Sequence, residues 1–244
     1  MSLGRIVAVV PAFREEAAIA TVIAGIKAVD PGIDVVVVDD GSPDGTAAAA
    51  AAAGAAVVRL PFNLGIGAAV QTGFRYALER DYDTAVRLDG DGQHDPAELP
   101  KLLARLETGE ADVVTGSRFV GGDATYRPPF ARRIGITWFA KLVSLLTRQR
   151  VTDTTSGFQA LNRRGIALFA RDYPSDYPEV EATLLVLRSR LRLVEVPVEM
   201  REREHGRSSI TLVRSVYYAL KVTLALLVAM GRRATLPSEE ATDT

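Results

Sequence analysis

The first half of the chain alternates short apolar runs, often β-branched, with longer stretches of helical periodicity. Strands are predicted at residues 6–10, 35–38, 57–60, 84–88 and 112–115. Strands that alternate with helices are typical of βαβ units around a mostly parallel sheet. The pattern therefore predicts an α/β domain with helices flanking the sheet.

An alanine-rich segment separates the second and third of these strands. We expect Ser42 to be the N-cap of a helix there, with Pro43 as the first helical residue and Gly54 just past the end. The alanine run thus indicates a helix and not a sequence repeat.

The second half of the chain is less regular. Paired glycines and paired prolines within residues 121–129 mark a loop, and residues 134–146 predict a helix. A last strand is expected at residues 193–198. The stretch that follows it, residues 201–209, is too charged for a core.

The C-terminal region is strongly apolar but carries Arg214 and Lys221. The uncharged run after Lys221 is too short to span a bilayer, which needs about 20 apolar residues. Residues 210–233 are predicted to form amphipathic helices that lie on a membrane surface. The alternative is packing on the domain or on a second copy of the chain, as a homodimer, because core and interfacial helices share this periodicity. Residues 234–244 are predicted to be a disordered tail.

Composition excludes several classes of function. The chain has 29 Lys and Arg residues against 30 Asp and Glu residues, whereas nucleic-acid-binding domains usually show a clear basic excess. It has no cysteine and only two histidines, which excludes disulfides, Cys/His zinc sites and thiol nucleophiles. Because no charged-then-apolar leader precedes the first strand, we expect a cytoplasmic protein.

Polar clusters follow the first four predicted strands. The clusters are residues 11–16, 39–42, 63–67 and 89–91. Ligands of open α/β sheets bind beyond the carboxyl ends of the strands, so we expect these four loops to converge on one edge. Asp89 and Asp91 suit a hard cation, Mg²⁺ or Mn²⁺, that keeps coordination positions for phosphate oxygens. The sequence therefore predicts a site for a substrate that carries a diphosphate.

Five ordered motifs carry a resemblance to a known family. They are Val9-Val10-Pro11-Ala12-Phe13-Arg14-Glu15-Glu16, Val38-Asp39-Asp40-Gly41-Ser42-Pro43-Asp44-Gly45-Thr46, Asn63-Leu64-Gly65-Ile66-Gly67, Asp89-Gly90-Asp91-Gly92-Gln93-His94 and Gly116-Ser117-Arg118. From residue 5 to about residue 210 the chain resembles family 2 glycosyltransferases with the GT-A fold. Within them it is most similar to dolichyl-phosphate mannose synthases and bacterial polyprenyl-phosphate glycosyltransferases. The resemblance implies a GT-A domain over residues 1–209, a UDP- or GDP-linked sugar donor, a divalent cation and inversion at the anomeric carbon.

The resemblance also implies which residues hold the donor. The positions that match those holding the base and ribose are Pro11, Ala12, Phe13, Glu15, Val38 and Asp40. Asp89, Gly90 and Asp91 match the metal- and phosphate-binding element, with Gln93 beside them. Asp91 is expected to be the direct metal ligand, while Asp89 supports the ribose or a metal-bound water.

Structural roles compete with some of these assignments. Asp44 suits a helix N-terminus better than a ligand. Gly65, Gly67 and Gly73 could be turn and packing glycines, since a glycine pattern alone is weak. The resemblance supplies no chemical role for His94, which is expected only to order its loop.

Arginines are the candidate anion-binding residues. Residues 203–208 match an Arg-x-x-Gly-x-Ser element that, in the polyprenyl-phosphate branch, lies on a mobile loop over the donor and acceptor phosphates. Arg132, Arg203 and Ser208 are therefore expected to bind the acceptor phosphate, and Arg118 the donor. A guanidinium fork suits a phosphate better than an ammonium does.

Asp153 begins a segment, residues 153–158, that resembles the part of the family fold beneath the acceptor. Asp153 is predicted to be the catalytic base or the group that orients the nucleophile, with Arg132 and Arg203 beside it at the catalytic centre. A lipid phosphate is already anionic and needs little proton abstraction, whereas a hydroxyl acceptor would need the base.

Three features depart from related patterns. Arg14 stands where the family usually has Asn, and Ser209 stands where the polyprenyl-phosphate branch often has Lys. The second change removes a phosphate partner and weakens the lipid-acceptor assignment. Because no Gln-x-x-Arg-Trp sequence occurs, a processive polysaccharide synthase is not expected.

The leading hypothesis is transfer of one sugar to a polyprenyl phosphate by a peripheral protein at the inner face of the membrane, with a small membrane-protein partner. The alternative is a soluble transferase that acts on a small-molecule or protein hydroxyl. Nucleotidylyltransferases and dinucleotide-binding dehydrogenases both have a glycine-rich loop after the first strand. Residues 11–15 do not form such a loop, so neither class is favoured. A silent nucleotide-binding module should have lost the metal carboxylates.

Overall fold

The computed structural model describes residues 2–120, 130–175, 178–200 and 221–224, with the backbone alone for residues 130–134. The strands are β1 (Ile6–Ala12), β2 (Asp34–Asp39), β3 (Ala56–Arg59), β4 (Thr84–Arg87), β5 (Val113–Ser117), β6 (Gln159–Asn162) and β7 (Leu193–Pro197). The α-helices are α1 (Ile19–Val29), α2 (Thr46–Ala52), α3 (Ile66–Glu79), α4 (Leu99–Glu107), α5 (Phe130–Thr147), α6 (Arg163–Arg171) and α7 (Pro178–Arg188).

The strands form one mixed sheet in the order β3-β2-β1-β4-β6-β5-β7. Strand β6 runs antiparallel to both of its neighbours, and the other strand pairs are parallel. The predicted α/β fold with a mostly parallel sheet is therefore confirmed. The six predicted strands are all present, while β6 was not predicted.

Both faces of the sheet are covered, which explains the continuous apolar runs of its central strands. Along β1, Ala8 and Val10 face a cluster that contains apolar side chains of α1 and α4. Val7 and Val9 face the opposite cluster, which contains those of α3, α6 and α7. The sheet edge at the carboxyl ends of the parallel strands is thereby left for the loops that carry the polar clusters.

The predicted start of α2 is wrong. The helix begins at Thr46, and its N-cap, Gly45, makes no side-chain cap. Ser42 instead links two loops, because its Oγ accepts from the N–H of Arg14 at 3.0 Å while its own N–H donates to Asp39 Oδ1 at 3.0 Å. Gly54 does follow the helix, with a φ of +87° that favours glycine.

A short helical stretch at residues 221–224 packs on the domain. Val222 is fully buried in an apolar cluster with Phe139 of α5 and Val180 of α7, and Trp138 Nε1 donates to Thr223 Oγ1 at 3.3 Å. Among the residues that the structure describes, no helix is long and apolar enough to cross a membrane. The rest of the predicted amphipathic region and the predicted tail lie outside the described residues, so the domain boundary at residue 209 stays a prediction.

Candidate active site

A cleft of about 390 Å³ opens at the carboxyl ends of β1, β2 and β4. It is lined by eight of the predicted donor-binding residues, namely Pro11, Ala12, Phe13, Glu15, Asp40, Asp89, Gly90 and Asp91. The four polar loops thus converge on one edge, as the sequence predicts. A volume of this size falls within the range of small-molecule sites.

Close backbone approach fixes the floor of the cleft. The N–H of Gly90 donates to the carbonyl of Pro11 at 3.2 Å, and a Cβ at Gly90 would lie 3.2 Å from the Cβ of Ala12. A glycine at this position therefore lets the loop after β4 lie directly against the end of β1.

Asp40 holds the rim of the cleft together. Its buried carboxylate accepts from the N–H groups of Leu64 at 2.8 Å and Gly65 at 2.9 Å. The resemblance places Asp40 at the base and ribose, and it does line the cleft. Its first role here is to anchor the loop before α3.

Val38 is a core residue of β2, next to the loop that carries Asp40. The side chain is fully buried on the α3 side of the sheet, where its Cγ2 lies 3.4 Å from the position that a Cβ on Gly73 would occupy. Val38 is not among the residues that line the cleft, and its assignment to the base and ribose stays a prediction.

Asp89 and Asp91 are half-buried carboxylates that line the cleft. Gln93 braces Asp91, because its backbone N–H donates to Oδ1 at 3.0 Å and its Nε2 to Oδ2 at 2.8 Å. This leaves the amide oxygen of Gln93 as its ligand atom. No group of three or more His, Asp or Glu residues in the described part of the chain could hold a metal by itself. Two carboxylates in an open cleft fit a cation that completes its shell with phosphate oxygens and water.

His94 orders the loop between these carboxylates and the core. The side chain is buried, its Nδ1 accepts from the N–H of Asp89 at 3.0 Å, and its ring stacks on Phe158 with centroids 5.1 Å apart. Burial lowers the pKa of His94. The ring is therefore neutral near pH 7, with its hydrogen on Nε2, as the loop-ordering prediction requires.

Arg118 and Asp153 form a buried ion pair. Arg118 Nε donates to Asp153 Oδ2 at 2.8 Å and Nη2 to Oδ1 at 2.9 Å. The side chains are 5% and 0% exposed. Arg118 does not line the cleft, so the prediction that it binds the donor directly lacks support in this geometry. For Asp153, the buried pairing favours the orienting role over the general-base role.

Glu195, on β7, holds the segment that contains Asp153 and was not predicted. Its carboxylate accepts from the N–H groups of Thr152 at 2.8 Å and Asp153 at 2.7 Å. Burial raises the pKa of Glu195. The sequence feature that could have identified Glu195 is a carboxylate within an otherwise apolar predicted strand.

Arg87, at the end of β4, was also missed. Its side chain is fully buried, with Nη1 donating to Tyr173 Oη at 2.6 Å and Nη2 to Glu179 Oε1 at 2.9 Å. Burial opposes the charged form, but Tyr173, Asp89 and Glu179 outweigh it, and the pKa of Arg87 is raised. A charged residue within the apolar run 84–88 is the signal that could have found it.

Three predicted acceptor-side residues cannot be placed. Arg132 belongs to the first turn of α5, but its side chain lies outside the described part of the structure. Arg203 and Ser208 also lie outside the described residues. Their assignments stay predictions.

The fold and the cleft define the class of protein. A mostly parallel sheet flanked by helices, with a carboxylate pair after a central strand, is the architecture of a GT-A glycosyltransferase. The family described as glycosyl transferase family 2 matches residues 7–168. The chain belongs to this family and is a glycosyltransferase, as the resemblance implies.

Relatives and solved structures agree with this classification. Undecaprenyl-phosphate mannosyltransferase of Micrococcus luteus is 35% identical over 216 residues, which cover 85% of this chain and 88% of the relative. Polyprenol monophosphomannose synthase of Mycolicibacterium smegmatis is 32% identical over 217 residues, with coverage of 85% and 81%. Glucosyl-3-phosphoglycerate synthase from Mycobacterium tuberculosis, solved with Mn²⁺, UDP and glucosyl-3-phosphoglycerate, has a TM-score of 0.70 at 25% identity, with coverage of 97% of this chain and 82% of that chain.

Proposed function

We propose that the protein transfers one sugar from a nucleotide-diphospho-sugar to a polyprenyl phosphate, with inversion at the anomeric carbon and with Mg²⁺ or Mn²⁺. The observation that carries the proposal is the pair Asp89 and Asp91, which faces an open cleft whose rim includes the β1 loop and Asp40. The names of the two relatives that are 35% and 32% identical support the lipid acceptor. The Mn²⁺ and UDP of the solved neighbour support a divalent cation and a nucleotide donor.

On the donor side, Phe13 is partly exposed at the cleft and offers a ring face for stacking on the base. Asp40 keeps the facing loop in place. Asp89, Asp91 and the amide oxygen of Gln93 would hold the cation. When bound, the cation would neutralise the diphosphate that leaves with the nucleotide.

On the acceptor side, the attacking oxygen of a polyprenyl phosphate is already anionic. No strong base is needed, so electrostatic positioning dominates. Asp153 serves by fixing Arg118 and the segment of residues 153–158. Arg132, Arg203 and Ser208 are proposed to bind the acceptor phosphate.

The acceptor is a membrane lipid, so the protein is proposed to work at the inner surface of the cytoplasmic membrane. The predicted amphipathic helices at residues 210–233 would provide the contact, together with a small membrane-protein partner. Salt extraction of native membranes tests this part, since a peripheral protein leaves the membrane fraction when its electrostatic contacts are screened.

A soluble acceptor is the second candidate. It is favoured by the solved neighbour, which is named for a phosphoglycerate product, and by Ser209, which stands where the lipid-specific branch often has Lys. Transfer to a hydroxyl would then require a base that the buried Asp153 does not provide in this geometry.

A transfer assay separates the two candidates. Purified protein in detergent is given UDP- and GDP-linked sugars, Mn²⁺ or Mg²⁺, and either a short polyprenyl phosphate or soluble phosphorylated and hydroxyl acceptors. We expect a glycosylated polyprenyl phosphate of inverted configuration, with transfer abolished by EDTA. Transfer to soluble acceptors alone would contradict the proposal.

A further inference from the structure

Arg87 is the largest fully buried side chain among the described residues. It occupies the last position of β4, two residues before Asp89 of the cleft. A buried guanidinium is costly unless its charge is paired and its N–H groups have acceptors. The placement of such a residue directly beneath the site therefore requires partners from several elements.

The partners of Arg87 come from three directions. Nη1 donates to Tyr173, which follows α6, and Nη2 donates to Glu179 in the first turn of α7. The same Nη2 lies 3.5 Å from Asp89 Oδ1. Asp89 and Glu179 have side chains that are 34% and 26% exposed. One buried cation is thus shared by two carboxylates that retain access to solvent.

The acceptor segment also lies against Arg87. A Cβ on Gly157 would be 2.8 Å from Nη2 and 3.0 Å from Cζ of the guanidinium. The backbone of the segment therefore lies close to Arg87 at Gly157, where a larger side chain would collide with the buried guanidinium. Arg87 contacts the donor carboxylate and the acceptor segment at once.

Asp89 is held from a second side. Its N–H donates to His94 Nδ1 at 3.0 Å, and His94 Nε2 lies 3.8 Å from its Oδ2. His94 thus fixes the backbone of Asp89, while Arg87 faces the other carboxylate oxygen. Partners of this kind orient metal-binding carboxylates, and their loss typically costs about 10- to 100-fold in metal affinity or activity.

We propose that Arg87 is a positioning residue for sugar transfer, which holds Asp89 of the donor cleft in fixed register with Gly157 of the acceptor segment. The inference rests on the proposed cation site at Asp89 and Asp91. It adds a residue that contacts neither substrate but sets the distance between the two halves of the site.

A purely electrostatic role and a positioning role of Arg87 predict opposite changes in cation affinity when Arg87 is replaced. If the guanidinium acted only as a nearby positive charge, its removal would strengthen cation binding. The double variant Arg87→Met/Glu179→Gln removes one positive and one negative charge, so the local net charge is unchanged. A loss of affinity in this variant therefore reports position.

The experiment measures Mn²⁺ binding by electron paramagnetic resonance, alone and with UDP or GDP, beside thermal unfolding and transfer. The matched control is Arg163→Met/Asp81→Asn, which removes an exposed ion pair of 2.7 Å. We expect the Mn²⁺ affinity of the test variant to fall by about 10- to 100-fold, and that of the control to stay within about twofold of the wild type. A folded test variant with wild-type Mn²⁺ affinity would overturn the inference while leaving the proposed function intact. Absence of Mn²⁺ binding by the wild-type protein would overturn both.

The variant Arg87→Lys provides a second test in case the double variant does not fold. Lysine keeps the charge, but a single ammonium lacks the planar fork that serves Tyr173, Glu179 and Asp89 together. We expect Arg87→Lys to unfold in one transition like the wild type and still to lose Mn²⁺ affinity by at least about 10-fold. Wild-type affinity and kcat in Arg87→Lys would show that charge alone suffices, and the inference would be wrong.

Discussion

The donor and acceptor sides of the active site place aspartates in contrasting surroundings. Asp89 and Asp91 line an open cleft and are half-buried, whereas the carboxylate of Asp153 is completely buried. A carboxylate has about four acceptor positions. Around Asp153 these positions are filled by Arg118 and Thr155. Residue type alone therefore does not identify a ligand, and exposure of the carboxylate to an open cleft is the better guide.

Removal of Asp153 should give the largest effect, and the effect should be on stability. Asp153→Ala leaves Arg118 buried without its counter-charge, which typically costs about 3–5 kcal/mol. We expect the free energy of unfolding in urea to fall by this amount. The double variant Arg118→Met/Asp153→Leu should recover most of it, because an apolar pair can replace a buried ion pair. If Asp153→Ala is as stable as the wild-type protein, Asp153 is not the structural residue that distinguishes the acceptor side from the donor side.

The general-base role of Asp153 is tested by a milder change. Asp153→Asn keeps one acceptor oxygen for Arg118 but removes the basic group. A folded Asp153→Asn protein that binds donor normally and retains most of its transfer would support positioning. Near-complete loss of transfer with intact donor binding would instead restore the general base.

Removal of Asp91 should act on transfer and leave stability nearly unchanged. Loss of a residue that only orients a metal ligand typically lowers metal affinity or activity by about 10- to 100-fold. Loss of the ligand itself should therefore lower kcat/KM by more than about 100-fold. Calorimetry should show loss of Mn²⁺ binding. The matched control is Asp44→Ala, since Asp44 is an exposed carboxylate near the start of α2 that hydrogen-bonds Thr46. Equal losses in both variants would contradict the cation site.

Local pattern was enough to predict the parallel strands and the donor loops. Apolar runs and the polar residues that end them are neighbours in sequence, and the parallel sheet brings those ends together. The start of α2 was missed because the hydroxyl of Ser42 bonds the backbone of Arg14, which lies 28 residues away. Strand β6 was missed because only two of its four residues, Ala160 and Leu161, are apolar, so it shows no apolar run like those of the predicted strands.

The buried charge networks could not be predicted because their members are far apart in the sequence. Arg118 and Asp153 are 35 residues apart, and Arg87 and Glu179 are 92 residues apart. No periodicity links such partners. The sequence does show a charge inside an apolar strand at Arg87 and again at Glu195, and each of these marks a buried network behind the site.

Two glycines allow the cost of backbone strain to be compared with the cost of crowding, since Gly41 follows β2 beside Asp40 and Gly54 precedes β3. Gly41 and Gly54 both have a positive φ, +68° and +87°. A Cβ on Gly41 would lie 2.6 Å from a backbone atom of Phe62, whereas a Cβ on Gly54 would meet nothing within 4 Å. Gly54→Ala should cost about 1–2 kcal/mol from the left-handed conformation alone. Gly41→Ala should lower the free energy of unfolding by more than this and should also weaken nucleotide binding. Chemical unfolding and calorimetry measure these two effects. Equal losses of stability in the two variants would mean that the loop at Phe62 shifts to make room for the added Cβ.

The smallest expected effect is a pH dependence of stability that arises at His94. Burial holds the pKa of His94 below its ordinary value of about 6.5. As the pH falls below about 6.5, the unfolded chain binds a proton that the folded protein does not, so stability decreases. One proton corresponds to at most about 1.4 kcal/mol per pH unit. Above that pH the contribution is constant.

His94→Gln isolates this contribution, since glutamine can still accept from the N–H of Asp89 but does not titrate. Between pH 6.5 and 5.5 the variant should lose less stability than the wild-type protein, by up to about 1 kcal/mol, because the unfolded histidine is only half protonated at pH 6.5. The lowered pKa of Asp112 acts only at more acidic pH, and the raised pKa of Glu195 is common to both proteins. Parallel stability curves would mean that His94 charges freely in the folded state. The neutral state assigned to the buried His94 beneath Asp89 would then be wrong.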